Sequence, residues 1–200
     1  MTAPGLVEYL IARIDQVPAP GVAVRVALDA AAAAQPYRLA TSLVAGLRAL
    51  GRPTWVIDAQ LFYRDASIRF EYGRTDELSY AAGWLDRGAL AREVLTPLGP
   101  SGRGSFLSGL RDPRTNRSLR RAPVPAGPGS VVIVAGEMLL RPELDFDLRV
   151  HLRLGEAALR RRTPDEAAWT IGPLLDYERG LGEVELTVRL DDPRHPAIET

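Results

Sequence analysis

Two hundred residues with 25 basic and 25 acidic side chains carry no net field that would draw nucleic acid or an anionic membrane surface. The sequence has no cysteine, which excludes disulfides, a thiolate nucleophile and cysteine-ligated zinc. Every basic residue is arginine, so lysine Schiff-base chemistry is excluded too. A hydrophobic content of 46% suffices for one core, and no long spacer divides the chain, so a single domain over residues 1–200 is expected. No apolar run is long enough to span a bilayer or serve as an export signal, so the expected address is cytoplasmic.

In chain order, Leu6, Leu10, Ile11 and Ile14 recur at helical spacing, which predicts a helix from Leu6 to Val17, ended by Pro18 and Pro20. The β-branched run GVAVRVALD predicts a strand ending at Asp29, followed by an alanine-rich loop and a helix from Arg38 to Leu50 that Gly51 closes. TWVIDAQLF reads as a second strand, and Leu85 to Leu95 as a helix. From Thr96 to about residue 130, prolines, glycines and arginines predict a long surface excursion. SVVIVAG reads as a central strand buried on both faces, and LRVHLRL and EVELTVRL as two more, with helices at Arg160–Ala168 and Leu174–Glu178 between them. Strands alternating with helices imply an α/β fold with a parallel sheet and right-handed crossovers. Its ligand site belongs at the carboxyl ends of the strands, in the loops after Leu28, Asp58, Val134 and Leu154.

VRVALD with LATSLVAGLRALGRP, then GEMLLRPEL, then ELTVRLDDPRHP together resemble the uridine kinase-like branch of the P-loop nucleoside kinases, over nearly the whole chain. The resemblance implies a three-layer P-loop NTPase-like fold with a mainly parallel five-stranded sheet. In an active member it implies ATP and magnesium as cofactors and a nucleoside as substrate. Phosphate binding by such a loop needs glycines, a lysine and a Ser or Thr. Here the equivalent stretch is Ala33, Ala34, Gln35, Pro36, Tyr37 and Arg38, with Pro36 at the lysine position and Tyr37 at the magnesium-ligand position. Pro36 also fits the first position of a helix.

The acidic pair expected before Phe62 reads Gln60 and Leu61, leaving Asp58 as the nearby carboxylate, either a weak candidate base or a strand-end residue. The Asp-Gly expected after the central strand reads Ala135-Gly136, with Glu137 next as the one substitute metal ligand. Arg160, Arg161 and Arg162 fall where the resemblance implies lid arginines, or else form a solvated helix face paired to Asp165 and Glu166. On the substrate side, with the excursion, the resemblance implies roles for Phe62, Arg64, Tyr80, Arg111 and Asp112, while packing favours a core position for the bulky aromatics. His151 and His195 show no metal or triad spacing.

The expectation is therefore a uridine kinase-like protein impaired in catalysis, acting as a nucleotide-, nucleoside- or protein-binding module. The alternatives are an active ATP-dependent phosphotransferase and a self-associating scaffold. No nucleic-acid or membrane partner is expected.

Overall fold

In the computed structural model, which describes residues 1–199, helix α1 spans Ala3–Asp15, and Thr2 caps it by accepting from Gly5 N at 3.2 Å. Its apolar stripe, Leu6, Leu10 and Ile14, is buried against helix α2, Pro36–Ala49. Between them runs strand β1, Ala23–Asp29, and after α2 comes β2, Thr54–Asp58. The next stretch is helical in short pieces: α3 (Ala66–Arg69), α4 (Glu77–Gly83), α5 (Arg87–Leu90), then a wide turn over Ala91–Leu95 into α6 (Thr96–Leu98). Asp65, Asp76 and Asp86 start α3, α4 and α5 by accepting backbone N–H groups of the first turn, which explains why helices this short form.

A small antiparallel pair, β3 (Ser105–Phe106) and β4 (Val124–Pro125), precedes β5 (Ser130–Gly136) and β6 (Leu148–Arg153). Helices α7 (Glu156–Arg162) and α8 (Ile171–Arg179) lead to β7 (Leu186–Arg189) and β8 (Ala197–Glu199). The main sheet has the order β2-β5-β1-β6-β7-β8. The first five strands are parallel, as expected, and β8 adds a sixth, antiparallel edge strand from what the sequence presents only as a polar tail. Every residue of β1 and β5 is buried, so both faces of the sheet are covered at its centre.

The charged side chain of Arg25 runs into this interior. Arg25 is 3% exposed and holds Asp147 Oδ1 at 2.7 Å and Asp145 Oδ2 at 2.9 Å, which pins the segment entering β6. Two expectations need correction. The second strand stops at Asp58, because that carboxylate accepts Gln60 N at 2.9 Å and turns Ala59–Phe62 into a 3₁₀ segment. The excursion from Thr96 is anchored in the core: Leu98 and Phe106 are fully buried, and Phe106 meets Trp55 edge-on at 5.9 Å.

Candidate functional site

The parallel register aligns three strand ends. Asp29 lies opposite Gly136, and Asp58 opposite Ala135, so the loops after β1, β2 and β5 open on one side. Close approach there depends on Gly136, since a Cβ at that position would stand 2.5 Å from the Cβ of Ala59. A cleft of about 400 Å³ lies between these loops and the start of α2, lined among others by Gln35, Tyr37, Arg38, Asp58, Gln60 and Glu137.

The alanine loop folds into a 3₁₀ turn over Ala32–Ala34, and Gln35 then takes a left-handed conformation with φ of 55°. That backbone costs a residue with a side chain about 1 kcal/mol. Pro36 follows as the first residue of α2, the helix-start role that its fixed φ favours. Most of the loop's donors are spent nearby. Ala34 N bonds Ala31 O and Gln35 N bonds Ala32 O, both at 2.9 Å, while Ala32 N donates to Glu137 Oε1 at 2.7 Å.

Glu137 is thus turned back on the loop, helped by Met138, whose φ of 58° reverses the chain after β5. Its second oxygen accepts from the Tyr80 hydroxyl at 2.8 Å. Burial pushes the Glu137 carboxyl above the ordinary range, against the pull of the Ala32 and Tyr80 donors. Burial also raises Asp58, with the Gln60 N–H pulling the other way. Tyr63 and Tyr80 are both pushed upward, by burial first and by the Glu137 charge second. Among the described residues, no group of three His, Asp and Glu side chains is arranged to hold a metal ion.

Beyond Glu137 stands an aromatic cluster. Trp84 meets Tyr63, Phe70 and Tyr80 edge-on at 5.7, 5.5 and 5.3 Å, and Trp169 closes the group against Tyr80 and Trp84. The Arg69 guanidinium, 4% exposed, lies over the rings of Phe70, Trp84 and Tyr63 and donates to the Arg64 carbonyl at 2.9 Å.

The residues singled out from the sequence fall in different places. Asp58, Glu137 and the stretch Gln35–Arg38 converge on the cleft, and Tyr80 touches Glu137. Phe62 is core, 1% exposed. Arg64 is exposed, with its backbone tied to Trp84. Arg111 and Asp112 build a hairpin: Arg111 holds Asp65 at 3.1 Å, and Asp112 accepts Arg114 N at 2.8 Å. The expected pairing of the arginine triplet to Asp165 and Glu166 does not occur. Arg160 pairs backwards with Glu156 at 2.7 Å, Arg162 donates to Asp191 O at 2.6 Å, and none of the three lines the cleft.

The sequence reading missed the pair Asp29 and His151. Adjacent strands place them side by side, and His151 Nδ1 lies 2.7 Å from Asp29 Oδ2, while the other oxygen accepts Leu139 N at 2.7 Å. Strand register is the only signal that joins two residues so far apart in sequence.

No family model and no curated relative matches the chain by sequence. Among solved structures, a possible uridine kinase from Bacillus stearothermophilus is similar, with TM-score 0.72 and 17% identity over 92% of this chain and 97% of that one. A candidate fructose transport system kinase from Silicibacter sp. TM1040 gives TM-score 0.71 and 21% identity, covering 94% of this chain and 98% of that one. The fold is that of the P-loop kinases. At these identities the likeness carries architecture and leaves the chemistry to the residues of the cleft. Among the described residues, no helix is long and apolar enough to cross a membrane.

Proposed function

We propose that this chain uses a kinase-like scaffold to bind a nucleoside-sized ligand without transferring phosphate. The observation that carries the reading is the carboxylate of Glu137 on the Ala32 N–H, at 2.7 Å, in the loop that corresponds to the phosphate-binding loop of the fold. A negative group already takes a donor that such a loop would offer to phosphate. The Ala34 and Gln35 donors are spent within the loop, Pro36 has no N–H, and the sequence holds no lysine to reach a phosphate chain. ATP and magnesium do not fit the residues present. Phosphoryl transfer rests on positioning and charge stabilisation, and the loop's glycines, lysine and magnesium hydroxyl are missing together.

The cleft retains features suited to a neutral nucleoside. Tyr37 is 47% exposed on its margin, a ring available for stacking, and Gln35 and Gln60 bring amide edges that can donate and accept. A volume of about 400 Å³ suits a ligand of that size.

The test is a turnover assay with labelled ATP and a panel of nucleosides and sugars, run beside a uridine-binding measurement on the wild type and on Tyr37→Ala. The expected result is no phosphorylated product, with uridine binding weakened about tenfold by the loss of the stacking ring. Product formation that Asp58→Asn abolishes would replace this reading with an active kinase.

A further inference from the structure

Three buried side-chain nitrogens among the described residues lack a hydrogen-bond partner: Arg141 Nε, Arg149 Nε and His151 Nε2. A buried donor without an acceptor costs free energy, so each such group asks what it is for. The two arginines line one cavity of about 580 Å³, enclosed by the segment after β5, the start of β6 and the turn that follows α8. It lies toward the amino end of β6, away from the cleft at the strands' carboxyl ends.

Arg141 is held in place there. Its guanidinium sits over the Tyr177 ring at 4.7 Å, and no carboxylate among the described residues pairs with it. Stacking fixes the guanidinium plane, and a planar fork so held suits a planar or tetrahedral oxyanion. Arg149 has a partial partner: Nε stands 3.4 Å from Glu185 Oε1 but makes no hydrogen bond. Of the acidic side chains on the cavity wall, Asp145 shares Arg25 with Asp147, and it and Glu183 both oppose an incoming anion.

We propose that this cavity binds an oxyanion, the phosphate or carboxylate group of a small molecule, between the guanidinium groups of Arg141 and Arg149. Charge-assisted bonds to the two guanidinium groups would compensate for the acceptors that their buried Nε atoms lack. Glu183 and Glu185 keep the affinity modest.

The test is calorimetric titration of the full chain with inorganic phosphate and, separately, with acetate. Saturable one-site binding is expected for at least one anion, reduced about tenfold in Arg141→Gln and in Arg149→Gln, a loss typical of one charge-assisted contact. It should be unchanged in Arg13→Gln, on exposed helix α1. Circular dichroism checks each variant's fold. Should Arg141→Gln not fold, Arg149→Gln decides alone, since that side chain is 44% exposed. Heat from phosphate alone points to a phosphorylated ligand, and heat from acetate to a carboxylate. Failure of both anions to saturate, affinity unchanged in Arg149→Gln, or an equal loss in Arg13→Gln would overturn the proposal.

Discussion

The two sides of the cleft solve opposite problems. The loop side, Ala30–Gln35, is built from small residues whose polar groups are met within the loop and by Glu137. The aromatic side, with Tyr63, Phe70, Tyr80, Trp84 and Trp169 around Arg69, is built from large rings in mutual contact. Tyr80 joins them by donating to Glu137. The stability of this region resides in the aromatic cluster, while the loop side is set by one carboxylate held at an electrostatic cost.

The strongest way to break that comparison is Trp84→Ala. This ring meets Tyr63, Phe70, Tyr80 and Trp169 and lies under Arg69, so its removal should destabilise the fold by about 3 kcal/mol in chemical denaturation. A loss below about 1 kcal/mol would place the stability elsewhere.

The loop side should respond in the opposite sense. Burial raises the folded-state Glu137 pKa above its unfolded value. The associated stability is therefore fully present below the ordinary glutamate pKa of about 4.3, and it is lost as pH rises through the folded value. Glu137→Gln keeps an oxygen for the Ala32 N–H and removes the charge. The variant should lose that decline, so its stability relative to wild type rises from about pH 4 toward neutrality. Thermal melts across that range check it, and a variant destabilised most at neutral pH would show that the carboxylate charge favours folding.

The smallest effect belongs to neither side. Arg160 and Glu156 are 61% and 57% exposed, so Arg160→Gln should change stability by less than about 0.5 kcal/mol. A larger loss would show that α7 docks through its charges.

Much of the sheet was legible because buried parallel strands are written as β-branched runs, and SVVIVAG became β5 unchanged. The helix boundary at Pro36 was legible from proline's fixed φ. The edge strand β8 was not, because an edge strand carries one pairing and no buried run, and Ala197–Glu199 reads as polar tail. Short helices such as Glu77–Gly83 escaped because one or two turns show too little periodicity to register. In the site, Asp58 and Glu137 were legible by position, but the Glu137 contact with Ala32 was not: it depends on the reversed backbone at Met138, which no residue type announces. Asp29 and His151 meet only through register.

The proposal at stake is that Glu137 takes the place of phosphate in the cleft, which would keep room for a nucleoside. Calorimetric titration of the purified chain with ATP, with and without magnesium, and then with uridine, tests it most directly. Arg141→Gln, run alongside, takes one arginine from the anion site proposed above. Uridine is expected to bind, and any heat from ATP is expected to be unaffected by magnesium and weakened about tenfold in Arg141→Gln. ATP binding that tightens with magnesium, at an affinity unchanged in Arg141→Gln, would overturn this reading.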